Sequence, residues 1–214
     1  MQQHEENKFI ALQWRMAWLN SSFKIKTIIG STLLLLILVT FPRFFAVIEG
    51  RKGIYLNDTL LNNIPAVDFS IPIFIIIWST ALLLIYRILK SPDLFLQFLI
   101  SFLLLSISRI ITISLFPLEP PNGLIAIKDP ISSIFYGGKE VFIRKDLFYS
   151  GHTATQFLMF LSFSKKRDKI ITGLSSILIA IMVLFQHVHY TIDVIAAIPF
   201  AYFVYLLGKK IATN

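Results

Sequence analysis

The 214-residue sequence predicts an all-α integral membrane protein with six transmembrane helices in one bundle. Three observations predict it. Hydrophobic residues make up 56% of the chain and charged residues 15%, where soluble domains run to about half and about one-quarter. Mean hydropathy is +0.73. Apolar runs of about twenty residues, the length that crosses a hydrocarbon core, recur from residue 25 to the C-terminal end. A single membrane domain of this kind leaves no room for a second sizeable one.

The elements follow in order. Residues 1–24, beginning "MQQHEENKFIALQWRMAWLNSS", are too polar and acidic at the start for a cleavable signal. They read as an amphipathic or disordered lead-in, with Trp14 and Trp18 at headgroup level and His4 solvated. Residues 25–208 form the membrane domain, with spans expected at 25–47, 69–88, 94–115, 147–163, 170–186 and 190–207. The fourth and fifth are short, and a re-entrant or buried helix is the alternative for any one short run. Residues 209–214 are a short basic C-terminus, and no internal repeat is visible. The chain has no cysteine, which excludes disulfides, thiolate catalysis and Cys-ligated metal.

A net charge of +8 raises nucleic acid as a partner, but the basic residues sit in short clusters beside apolar runs: "SFKIK", "SKKRDK", "GKK". In a membrane protein such clusters set topology and meet anionic headgroups, so the expected partners are the bilayer and its lipids, with no nucleic acid. Six spans put both termini on one side. That side carries Lys8, Arg15, Lys24, Lys26, Arg87, Lys90, Lys165, Lys166, Arg167, Lys169, Lys209 and Lys210; the other carries Arg43, Arg51, Lys52, Lys128, Lys139, Arg144 and Lys145. Twelve against seven favours cytoplasmic termini. The sequence does not fix an oligomeric state.

The same topology gathers the chemistry at the far face. In "KDLFYSGHTATQFLMF" and "QHVHYTIDVIAAIPF", His152 and His189 each open a helix that runs back inward from the same membrane face. His189 and Asp193 are four apart and share a helical face, so the carboxylate can fix the imidazole tautomer as in a catalytic dyad. The alternative is a buried His–Asp bond that only tightens the bundle, although ionisable groups inside a span mark functional sites by default. Ser150 and Gly151 allow close backbone approach at a helix N-terminus that can receive an anion, and Asp146 can fold back toward His152. Arg109 lies about two turns inside the outer end of the expected span 94–115. It can clamp phosphate bidentately or snorkel to the interface. His187, two residues from His189, faces away from it on a helix, so a metal site from His187, His189 and Asp193 is geometrically poor.

At these residues the chain resembles the type 2 phosphatidic acid phosphatase superfamily, and within it the sphingomyelin synthase-like branch. "DLFYSGHT" looks like that branch's G-D-x-x-x-S-G-H-T block with Lys145 at the glycine, and "HVHYTIDVIAA" is similar to its H-x-H-Y-T-x-D-V block. "RIITISLFPLEPP" resembles its R-x-x-T-M-x-x-T-x-L-P-x-P block, with Ile113 for Met and Phe116 for Leu, and "GIYLNDTLLNNIPAVDFSIPIF" is similar to its first loop. The resemblance covers roughly residues 50–205. It implies a six-helix fold with His189 as nucleophile, Asp193 as its orienter, His152 as acid and base, and Asp146 assisting His152. It also implies that Arg109, Ser150, Gly151, Thr153 and Tyr190 bind substrate, with no metal or organic cofactor. Val183 stands where the phosphatase branch has an arginine six residues before the motif histidine, which favours the synthase-like branch and a larger phosphate role for Arg109.

The function expected is therefore a lipid phosphotransferase or phosphatase acting on a phospholipid or lipid phosphate through a phosphohistidine, with transfer to a lipid alcohol or to water. A non-catalytic lipid-binding or transport protein on the same fold is the rival, and the intact set Asp146, His152, His189 and Asp193 argues against it.

Overall fold

The computed structural model of the chain describes residues 2–127 and 143–214; Lys128 and Lys139 of the charge count lie outside them. Regular structure among the described residues is helical, apart from an isolated parallel bridge between Ile54 and Leu118. The helices are α1 (Gln2–Leu19), α2 (Ser21–Gly50), α3 (Ser70–Ile88), α4 (Pro92–Leu115), α5 (Gly151–Ser162), α6 (Lys166–Phe185) and α7 (Thr191–Thr213), with a 3₁₀ turn at Leu61–Asn63. The protein is an all-α membrane protein.

Local chemistry sets most boundaries. The lead-in is helical rather than disordered, and it breaks from α2 at Asn20, which caps α2 by accepting the N–H groups of Ser22 at 2.8 Å and Phe23 at 3.4 Å. Ser91 caps α4 through the Leu94 N–H at 3.3 Å, and Pro92 stands in its first turn, where a missing N–H costs nothing. The α3–α4 turn is held by α1: the Trp14 indole donates to the Leu89 carbonyl at 2.8 Å, and Glu6 pairs with Lys90 at 2.7 Å.

Among the described residues, five helices are long and apolar enough to cross a membrane: α2, α3, α4, α6 and α7. The fourth expected span, 147–163, differs from expectation. Only Gly151–Ser162 is helical there, twelve residues or about 18 Å, short of the roughly twenty needed to span. The physical reason is burial. No residue of α5 is exposed, and it packs between α6, α7 and α4, so protein rather than lipid surrounds its ends. It nonetheless runs the depth of the bundle. Ser150 at its start donates its N–H to the Asp193 carbonyl at 3.0 Å, while Met159 and Phe163 at its end pack on Leu84 of α3, beside the α3–α4 turn.

The core is built from small residues on one side and large ones on the other. Ala197, Ala201, Val204 and Gly208 recur at helical spacing on α7 against α4 and α5. A Cβ on Gly208 would fall 2.8 Å from Ser101 Cα, so the two backbones touch where membrane helices use small residues. α2 lies at the edge with most of its surface toward lipid.

At the end that carries the termini, Arg87 of α3 pairs with Asp168 of α6 at 2.8 Å, and the Asp168 side chain is 3% exposed. Arg87→Ala should therefore destabilise the protein by about 3 kcal/mol, because it leaves a buried carboxylate without its partner. Replacing both residues with leucine should restore most of that loss. Reversible unfolding in detergent measures both; equal losses for the single and double variants would remove the ion pair from the account.

Candidate active site

At the opposite end of the bundle, four segments converge: the last turns of α4, residues 143–150, the start of α5, and the turn from α6 into α7. The convergence is fixed by backbone and ring contacts. Tyr149, fully buried, stacks on Phe200 of α7 with ring centroids 4.6 Å apart, and its hydroxyl lies 2.6 Å from Ser108 Oγ on α4. Tyr149 also presents its carbonyl to Arg109 Nε at 3.3 Å.

Arg109 does not snorkel out of the bundle. Its guanidinium is ion-paired with Asp146 and lies across the N-terminus of α5. A Cβ at position 151 would overlap the guanidinium, so any side chain there must push Arg109 out of this position. Ser150 caps α5 by accepting the Thr153 N–H at 3.3 Å, so the positive end of the helix lies beside the guanidinium. A cation and a helix N-terminus side by side form an anion-binding corner. Burial pushes the Asp146 carboxyl up, but the charge and hydrogen bond of Arg109, followed by His189 and His152, hold it below its ordinary value of 3.8. A depressed carboxylate keeps its stabilising charge above that ordinary value and loses it as pH falls through its own lower one, so the pair is intact throughout the neutral range.

His152 stands on α5, whereas His189 lies in the turn before α7 rather than on the helix expected for it; their ring centroids are 6.0 Å apart with planes at 63°. His189 is buried, and its Nδ1 faces Asp193 Oδ2 at 3.3 Å, which leaves Nε2 as its other nitrogen. Asp193 is fully buried, and the same Oδ2 accepts the Tyr190 N–H at 3.0 Å, capping α7. One carboxylate thus orients the imidazole and starts the helix that follows it. Two imidazoles face one another beside the Arg109 guanidinium and the start of α5, an arrangement that can offer one ring nitrogen for attack and the other ring for proton transfer.

The structure brings Asp146, His152, His189, Asp193, Arg109, Ser150 and Gly151 together. Thr153 is buried on the first turn of α5, and its Oγ1 has no hydrogen-bond partner among the described residues. Tyr190 goes elsewhere: its hydroxyl donates to the Glu119 carbonyl at 2.9 Å and accepts the Leu56 N–H at 3.3 Å, tying down two loops. The metal set that included His187 is replaced by carbonyl contacts, with Nδ1 2.8 Å from the Asn122 oxygen and Nε2 3.2 Å from that of Ile64.

Residues that sequence reasoning missed support the corner from outside. Asp58 accepts the Thr191 N–H at 2.6 Å and its hydroxyl at 2.9 Å; the one signal for it was the local turn "NDTL", where it also accepts the Leu61 N–H at 3.1 Å. Lys145, next to Asp146, pairs with Glu119 at 2.9 Å and donates to the Arg51 carbonyl at 2.5 Å, and Glu49 accepts the N–H groups of Arg144 and Lys145. Partners so far apart in the chain leave no local pattern.

Residues 145–210 match the family model described as PAP2 superfamily C-terminal, a segment that contains Asp146, His152, His189 and Asp193. No curated protein and no solved structure matches the chain. The family match supports the type 2 phosphatidic acid phosphatase superfamily, and with it an enzyme of the phosphatase or phosphotransferase kind acting on lipid phosphate in the bilayer.

Proposed function

We propose that the protein is a lipid phosphotransferase of the sphingomyelin synthase-like kind, cleaving a phospholipid or lipid phosphate through a phosphohistidine and passing the phosphoryl-linked group to a lipid alcohol or to water. The observation that carries this reading is the pair His152 and His189, 6.0 Å apart by ring centroids, beside the Arg109 guanidinium and the N-terminus of α5. Residues 25–208 are the membrane domain that performs the reaction.

His189 Nε2 attacks phosphorus, and Asp193 stabilises the positive charge that develops on the ring. The P–O bond to the leaving alcohol breaks, and that oxygen takes a proton from His152. In the second half, an acceptor hydroxyl gives its proton to His152 and attacks phosphorus, and the P–N bond breaks. Arg109 and the N-terminus of α5 offset the charge on the non-bridging oxygens through both halves. Asp146 keeps Arg109 aimed and adds a negative charge near both histidines. The hydroxyl of Thr153 is a candidate substrate contact, and Tyr190 acts on substrate only through the loops it holds. The twelve-to-seven charge split supports cytoplasmic termini and an extracytoplasmic site.

Purified protein in vesicles of phosphatidylcholine, phosphatidylethanolamine and phosphatidic acid, with and without diacylglycerol and ceramide, should yield a new phospholipid or free phosphate by mass spectrometry. His152→Ala should slow the first step at least a hundredfold, and a p-nitrophenyl leaving group, which needs little protonation, should recover part of that loss. The same substrates supplied outside intact cells should be consumed. No product from any mixture would favour the lipid-binding reading, and equal slowing with both leaving groups would remove His152 as the proton donor.

Gly151→Ala tests the anion-binding corner. The added methyl group collides with the Arg109 guanidinium and should lower kcat/KM at least a hundredfold while the bundle stays folded. Arg109→Lys, which keeps charge and loses the bidentate fork, should lower it comparably. A near-normal rate in both variants, with folding verified by thermal unfolding, would place phosphate binding elsewhere.

A further inference from the structure

The turn from α6 into α7 holds a second histidine, and its backbone and ring are engaged in ways that ending a helix does not require. α6 closes in a Schellman motif, with the His187 N–H donating to the Leu184 carbonyl at 2.9 Å and the Val188 N–H to the Val183 carbonyl at 3.2 Å. The left-handed position of that motif belongs by preference to glycine or asparagine, because a Cβ crowds the following carbonyl there. Here it is His187, at φ 54°.

The side chain explains the choice. His187 is 8% exposed, and its two ring nitrogens face carbonyl oxygens on two different loops, Asn122 at 2.8 Å and Ile64 at 3.2 Å. Both partners are acceptors, so a neutral ring donates to one loop and the imidazolium to both. Gly123, at φ 78°, turns the second loop so closely past the ring that a Cβ there would sit 3.3 Å from His187 Nδ1. The same loops are then stitched to the turn by backbone: the Val67 N–H donates to the Phe185 carbonyl at 2.8 Å, and the Ile125 N–H to the Gln186 carbonyl at 3.0 Å. His189 follows two residues later and faces the other way, toward Asp193 and His152.

We propose that His187 is a positioning residue for the transfer reaction: it clasps loops 51–69 and 116–127 onto the turn and so fixes the direction in which His189 points. This rests on the reading of His189 as the attacking group. His187 touches neither phosphorus nor the leaving oxygen.

The helix-ending role and the clasp predict opposite results for one substitution. His187→Asn suits the left-handed backbone but is too short to reach both carbonyls, so a residue that merely ends α6 would tolerate it. The clasp predicts that kcat in the vesicles described above falls at least tenfold while KM stays within twofold. It also predicts at least tenfold faster amide exchange at Val67 and Ile125, read without substrate, with α4 and α7 core amides unchanged as the folding control. His187→Gln, which keeps an N–H donor at nearly the same reach, should recover part of both. Unchanged exchange at Val67 and Ile125 would overturn the clasp. Faster exchange with unchanged kcat would overturn the positioning role and leave His189 as nucleophile. An inactive wild type would remove the reaction and the positioning role with it, while the exchange data would still report the clasp.

Discussion

A guanidinium placed inside an apolar bundle is the constraint around which the rest of this end of the protein is arranged. Arg109 sits within a membrane-length helix, where an unpaired cation costs several kcal/mol. Asp146 supplies its counter-charge from the segment before α5, and the Tyr149 carbonyl supplies a further acceptor. For the guanidinium to lie between them, the following helix must begin with a residue that has no side chain, which is Gly151. Ser150 can then cap that helix and reach the backbone of Asp193. The acid that orients His189 is thus joined by one backbone hydrogen bond to the segment that holds Arg109.

The starting point of α5 follows from the same requirement. A helix that began earlier would carry its N-terminus past Arg109. Beginning at Gly151 instead places the positive end of the helix dipole beside the guanidinium and below the outer loops. The exposed backbone that a short helix would otherwise leave in lipid is covered by α4, α6 and α7. The outer loops finish the enclosure, since Asp58, Glu119, Tyr190 and His187 all spend their polar atoms on holding loops rather than on facing the histidine pair.

Much of this was legible in the chain. Apolar runs locate α2, α3, α4, α6 and α7; the His189–Asp193 pair was expected from helical spacing and forms, but by Asp193 in the first turn of α7 reaching back to a histidine outside the helix. The meeting of His152 with His189 follows from counting membrane crossings. The true extent of α5 was not legible, because a hydrophobic run reads alike whether its neighbours are lipid or protein, and only burial distinguishes the two. The Arg87–Asp168 pair was hidden in residues that count as topology signals. His187 was legible as a histidine facing away from the site, but the two carbonyls it reaches belong to loops 65 and 123 residues distant in sequence.

The central claim is that His189 becomes covalently bonded to phosphorus, and trapping that bond tests it most directly. A rapid quench with substrate labelled at phosphorus, followed by peptide mapping under alkaline conditions that preserve phosphohistidine, should find the label on the peptide carrying His189 and nowhere in His189→Ala, which should also be inactive. Label on His152 or another residue, or full turnover by His189→Ala, would contradict the account.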